Sequence, residues 1–293
     1  MRISSKVPNS GPLPAALGIG PMAARLEAAG FDGLWCSDHI VMPAVAESYY
    51  PFGDDGKVSW DPQMPWYDAV VAMTMTAAAT ARAEVGVAVL VLPLRQPVTF
   101  AKQVASIDAL TGGRMALGVG AGWLAEEFEA LGVDYATRGA RLDEWMALLR
   151  DCWTGFPAAR DGAHYTLPDG VIVQPTPLGK PPILVGGTSK VALRRAGRSG
   201  DGWLGLQRAG HLDPDALRPS VGLLRREAGA AGRDPARLRV VLRVIESAGR
   251  ADVVAAALPA LAAAGVDEVI VDTSWDGDGD EVAVHDRLRA AAM

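Results

Sequence analysis

Ser37-Asp38-His39 sets a carboxylate and an imidazole side by side at the end of a short apolar run. A histidine can donate, accept or shuttle a proton near neutral pH. Consecutive side chains at a strand end point to different faces, so Asp38 need not pair with the His39 ring. His39 and Asp38 are the candidate catalytic residues. Gly118-Val119-Gly120-Ala121-Gly122-Trp123 has the spacing GxGxG, not the GxGxxG of a dinucleotide loop after a first strand. A tight turn accounts for it, and the bare backbone around Gly120 and Ala121 would also let a flat ring approach. Ile183 to Ser189 reads as a strand, a glycine pair and a helix start. Backbone N–H groups at such a start bind phosphate. Thr188 or Ser189 could cap the helix or donate to the phosphate. Gly186, Gly187 and Thr188 are therefore candidate contacts for a phosphorylated ligand, with capping alone as the plainer reading. Arg95-Gln96-Pro97 reads as the beginning of a helix with an exposed arginine. Trp145, Trp153 and Trp203 have the apolar surroundings of core residues. His164, His211 and His285 have no acidic or cysteine partner at metal spacing, so no metal site is expected.

The elements that must position these residues alternate in kind. Short β-rich runs fall at 2–8, 33–38, 84–92, 114–119, 182–185, 202–206, 238–246 and 268–272. Amphipathic stretches fall near 19–29, 67–80, 98–110, 137–153, 188–199, 214–229, 251–264 and 281–291. Alternation of this kind argues for a parallel sheet, and eight strands close one into a (β/α)8 barrel. The run 84–92 is continuously apolar, as a strand buried on both faces should be. One junction recurs: a helix end, a glycine and an aspartate leading into a strand, at Gly30-Phe31-Asp32, Gly200-Asp201 and Gly265-Val266-Asp267. Such turns belong on the stabilising bottom face of a barrel. Two segments break the rhythm, one after the second strand and one between the fourth and fifth. The first, 40–66, is rich in Pro, Gly and aromatics and leaves the active-site end of strand two. It is expected to cover the substrate, with Trp66 against it.

The 293 residues suit one α/β barrel domain spanning 1–293. Hydrophobic residues make up 49% and charged residues 21%, which argues against global disorder. A net charge of −6 lacks the basic face of a nucleic-acid binder. No apolar run is long enough to span a membrane, and the N-terminus has no signal core. Cys36 and Cys152 lie in no CxxC and are expected as free thiols in a reducing cytoplasm.

In order along the chain, these segments resemble the luciferase-like monooxygenase superfamily, and more narrowly its coenzyme F420-dependent branch. The likeness is carried by Ala29 to Trp35 running into Ser37-Asp38-His39, by Val89 to Pro97, by Leu110 to Arg114 running into Gly118 to Trp123, by Glu126 to Gly132, by Arg138 to Arg141, and by Gly186-Gly187 with Gly200 to Trp203. The resemblance implies a flavin-type cofactor at the C-terminal mouth of the barrel. Its phosphate end would sit over Gly186, Gly187 and Thr188. Its ring would lean on a bulge in strand three at Ala88-Val89, where the family often has a non-prolyl cis peptide, and near Gly120 and Ala121. Asp38 and His39 match a pair near the reactive edge of the ring. Trp123 stands where some deazaflavin dehydrogenases carry a glutamate proton donor. The sugar-phosphate chemistry of those relatives is therefore expected to be absent, the alternative being that Glu126 or Glu127 substitutes. Trp123 suggests an apolar or aromatic substrate wall.

The expected activity is hydride transfer between coenzyme F420 and a small organic substrate. The alternatives are FMN with dioxygen, and a cofactor-free binding protein on the same fold. The resemblance also implies a homodimer, through the helices near 67–80 and 98–110.

Overall fold

The computed structural model describes residues 1–53, 55–277 and 279–292. Its strands are β1 (Arg2–Lys6), β2 (Gly33–Cys36), β3 (Glu84–Val91), β4 (Met115–Gly120), β5 (Arg160–Asp161), β6 (Thr166–Leu167), β7 (Ile183–Gly186), β8 (Gly202–Arg208), β9 (Arg239–Ile245) and β10 (Glu268–Val271). Its helices are α1 (Leu13–Leu17), α2 (Ile19–Ala29), α3 (Ala69–Ala78), α4 (Pro97–Leu110), α5 (Ala125–Ala130), α6 (Arg138–Cys152), α7 (Lys190–Ser199), α8 (Pro214–Ala230), α9 (Ala251–Ala263) and α10 (Asp280–Ala292). Eight strands close in the order β1-β10-β9-β8-β7-β4-β3-β2, every pair parallel. β5 and β6 form a separate antiparallel ribbon inside the second insertion. The (β/α)8 barrel expected from the sequence is present, with both insertions where they were expected. The short helices α1 and α5 are additions to that reading.

The recurring glycine–aspartate junction is a device for pinning strands. Asp32 Oδ2 accepts from Ile3 N at 2.8 Å, Asp201 Oδ2 from Ile183 N at 2.9 Å, and Asp267 Oδ2 from Val240 N at 2.8 Å. Each carboxylate satisfies the first free N–H of a neighbouring strand at the bottom of the barrel. The bottom of the lumen is polar. Arg239 bonds Glu84 and Glu268, and Glu268 also accepts from Ser4 Oγ and Trp35 Nε1. Above it Trp35, Ala116, Leu184, Leu204, Val241 and Ile270 fill the interior, with Ala88 and Val89 packed on top. A larger apolar layer joins the outside of the barrel to the helices. Trp145 and Trp203 are buried, and Trp153 packs against that layer. Both cysteines are buried and free. Burial pushes the Cys36 thiol up to about 12. Among the described residues no helix is long and apolar enough to cross a membrane, and no group of His, Cys, Asp or Glu could hold a metal.

Candidate active site

His39 follows the C-terminal end of β2 and is 7% exposed. Its Nδ1 lies 3.0 Å from Glu127 Oε2 on α5. The other oxygen of Glu127 accepts from Ile40 N at 2.6 Å and Val41 N at 3.3 Å. A carboxylate engaged in this way is an acceptor, so Nδ1 carries the proton and donates it. Nε2 then bears the lone pair, and among the described residues it has no hydrogen-bond partner. The result is a base held by a buried carboxylate, with its free nitrogen on the opposite edge of the ring.

The His39 ring is surrounded by aromatic rings. Trp66 lies 4.9 Å from the His39 ring, Trp123 6.0 Å and Trp60 6.2 Å. Tyr50 closes the group, 4.9 Å from Trp123 and 5.1 Å from Trp60. The insertion 40–66 delivers three of these rings, and it is tied down at several points. Glu126 accepts from Ser48 Oγ, Ser48 N and Glu47 N, at 2.6 to 2.9 Å. Burial opposes its charge, but the Ser48 hydroxyl and the two N–H groups outweigh it and hold the carboxyl below its ordinary range. Adjacent acids on α5 thus do different work, Glu126 holding the lid and Glu127 the histidine. The far end of the lid is fixed by Asn9, whose amide donates to Ser37 O and Tyr67 O and accepts from Ser37 N. The indole N–H groups of Trp60 and Trp66 are buried without a partner among the described residues. A buried orphan donor costs about 1–3 kcal/mol, and a bound acceptor would relieve that cost.

Asp38 turns away from His39. Its carboxylate accepts from Val91 N at 3.0 Å and from Arg95, which also bonds Asp68 Oδ2 at 2.6 Å. Asp68 in turn caps α3, the helix that follows the lid. The exposed arginine expected at the start of α4 is therefore corrected. Arg95 is 13% exposed at its side chain and bridges two carboxylates, because the turn Leu92–Leu94 directs it back to Asp38 and Asp68. Burial pushes the Asp38 carboxyl up, against the pull of Arg95. In this geometry Asp38 holds the end of β3 rather than the imidazole.

Across the mouth the wall is small and apolar. The Ala88–Val89 peptide is cis, and the β3–β4 register shifts at that point. Val89 lies over two glycines. A Cβ added at Gly186 would sit 2.6 Å from its Cγ1, and one at Gly120 would sit 3.0 Å from its Cγ2. Ala88, Val89, Ala121, Gly186 and Gly187 are all partly exposed, so a flat ligand meets backbone and one valine there. Gly187 has φ +114°, which L side chains rarely adopt. Ser189 caps α7 by accepting from Ala192 N, leaving the exposed Thr188 hydroxyl available to a ligand. These residues fit a flavin-type group: a bare platform for the ring and a helix N-terminus for its phosphate.

The remaining side of the mouth is charged. Lys6, Arg243 and Asp272 stand two residues beyond Ser4, Val241 and Ile270, so the pleat turns them into the lumen. Arg243 bonds Asp272, Val244 O and Ile270 O. Burial opposes the Asp272 charge, yet Arg243 and Lys6 hold its carboxyl below the ordinary range. A cleft of 280 Å³ opens beside this side, between Pro51, Phe52 and Gly53 of the lid and Leu206 to Arg208 of β8.

His39, Trp66 and Trp123 are thus brought together, while Ala88, Val89, Gly120, Ala121 and Gly186 to Thr188 form the facing wall. Sequence reading alone missed Asn9, Trp60, Lys6 and Arg243 and left Glu127 as an alternative. A lysine two positions after Ser4 in a barrel strand was the one available signal for Lys6.

The chain has known likenesses. The family model described as luciferase-like monooxygenase matches residues 8–291. An uncharacterised protein of Mycobacterium tuberculosis (strain H37Rv) is 34% identical over 222 residues, 75% of each chain. An F420-dependent glucose-6-phosphate dehydrogenase of Amycolatopsis mediterranei is 31% identical over 203 residues, 68% of this chain and 56% of that one. A solved F420-dependent secondary alcohol dehydrogenase, in complex with an F420-acetone adduct, superposes with a TM-score of 0.77 at 17% identity over 100% of this chain and 99% of that one. At that identity the likeness is one of fold. The match of the family model over nearly the whole chain places this protein in the luciferase-like monooxygenase family.

Proposed function

We propose that this protein is a coenzyme F420-dependent oxidoreductase acting on a small apolar or aromatic substrate. The observation that carries the reading is the His39–Glu127 pair, with its free Nε2 inside an aromatic enclosure at the barrel mouth. Ala88, Val89, Gly120 and Ala121 would take the ring, and Gly186, Gly187 and Thr188 the phosphate. When bound, the deazaflavin supplies a carbon centre that gives or accepts hydride and reacts poorly with dioxygen. His39 Nε2 takes or returns the proton of the substrate oxygen, while Glu127 fixes the tautomer and the ring orientation. Trp66 and Trp123 wall the substrate, and the lid excludes water. Asp38, through Val91 and Arg95, keeps β3 and the base of the lid in register as a positioning residue.

Fluorescence-quenching titration of the purified protein with F420 and with FMN tests the reading. It expects saturable binding of F420 and no oxygen uptake with the reduced cofactor. FMN binding with oxygen uptake would favour a monooxygenase, and flat titrations with both would favour a binding protein. The proposed homodimer would use the α3–α4 face, where Val71, Met75 and Leu110 are exposed. A 30.6 kDa species in gel filtration would overturn it.

A further inference from the structure

We propose that Lys6 and Arg243 form an oxyanion subsite, on the side of the barrel mouth away from Val89, and that the substrate is an apolar or aromatic molecule bearing a carboxylate. This deepens the proposed function and rests on it for the word substrate. Lys6 ends β1 and points into the lumen, partly buried. Two cations and one carboxylate meet there. The carboxylate, Asp272, is engaged by Arg243 and by Ser247 N. Arg243 is fixed by Asp272 and by two carbonyls, so its charge cannot swing away. Lys6 has no ion pair of its own among the described residues. Burial and the neighbouring Arg243 both push its ammonium below the ordinary lysine range, with Asp272 pulling the other way.

Holding an unmatched cation in a low-dielectric pocket costs free energy unless an anion joins it. The anion must come from outside, because the other carboxylates placed around the mouth are committed: Glu127 to His39, Asp38 and Asp68 to Arg95, and Glu246 to Arg208. The subsite is continuous with the aromatic enclosure. Tyr50 meets Trp60 edge-on and Trp123 at a tilt, and it also feels the charges of Arg208, Glu246 and Arg243. One molecule can therefore lay an apolar body against the tryptophans and direct a carboxylate at Lys6. Such a contact is a charge-assisted hydrogen bond, among the stronger kinds available to a ligand.

Benzoate and its neutral isostere benzamide are the probes. Calorimetric titration should show benzoate binding at least about tenfold more tightly than benzamide. Lys6→Met should abolish the preference at a Tm no lower than that of the wild type, and Lys6→Arg should retain it. Lys6→Gln gives the same reading should the Met variant fold poorly. Equal binding of the two probes, to both cofactor-free and F420-saturated protein, overturns the subsite, as does a preference that survives Lys6→Met. The F420 titration is read separately. A benzoate preference without cofactor binding leaves the subsite standing and sinks the oxidoreductase reading. Cofactor binding without a benzoate preference does the reverse.

Discussion

The two sides of the barrel mouth are built at the same height, by the same alternation of the same parallel strands, yet their chemistry is opposite. On β3, β4 and β7 the lumen-facing positions are Ala88, Val89, Gly118, Gly120 and Gly186. On β9 and β1, and just beyond the end of β10, they are Arg243, Lys6 and Asp272. The first side gives up side-chain volume so that something broad can lie on backbone. The second accepts the cost of desolvating three charges. Neither choice helps the barrel fold, since the layer below is already filled by Trp35, Leu184, Leu204 and Ile270. Departures from simple packing of this kind concentrate at functional sites. His39 stands between the two sides, where it can serve a ligand that touches both.

Removing the group between the sides should have the largest effect. His39→Ala is expected to lower kcat by about 10²- to 10⁴-fold with little change in cofactor affinity. An unchanged rate would make His39 structural and would break the comparison at its centre. On the charged side, Arg243→Met removes the main partner of Asp272, leaving it only Lys6 and Ser247 N, and should cost about 2–3 kcal/mol in urea unfolding. A loss below about 1 kcal/mol would mean the pair is solvated and the side less enclosed than described. On the bare side, Gly186→Ala forces a methyl group to within 2.6 Å of Val89 Cγ1. The expected cost is about 1–3 kcal/mol, with weaker cofactor binding by fluorescence quenching. Unchanged affinity would move the ring off that platform. The smallest effect sharpens the electrostatics. A carboxyl held below its unfolded value adds stability that is present above about pH 4 and lost as the pH falls. The stability gap between wild type and Asp272→Asn should therefore narrow as the pH falls from neutral to about pH 3. A gap independent of pH would show that Asp272 contributes by packing and not by charge.

Much of the fold was legible because parallel barrel strands are buried on both faces and read as short apolar runs. The run at 84–92 and the glycine–aspartate junctions needed no partner to be recognised. Arg95 was not legible in the same way. Its sequence context is that of a helix start, and only the turn at Leu92–Leu94 brings it back to Asp38 and Asp68. The Glu127–His39 contact joins residues 88 positions apart, and nothing local distinguishes Glu127 from Glu126 beside it. The cage shows the same limit: Tyr50, Trp60 and Trp66 were visible as a loop rich in rings, but their convergence on His39 depends on how Glu126 and Asn9 tie the loop down.

The chain by itself determined the alternation of strands and helices, the closed barrel that alternation demands, and the glycines at the ends of β4 and β7. Those are properties of nearest neighbours and of period, written in consecutive residues. The tertiary structure decided which acid holds His39, that Asp38 serves β3, and that Lys6 and Arg243 share one side of the mouth. Such pairings depend on distances across a closed ring of eight strands, and a linear spacing carries no record of them.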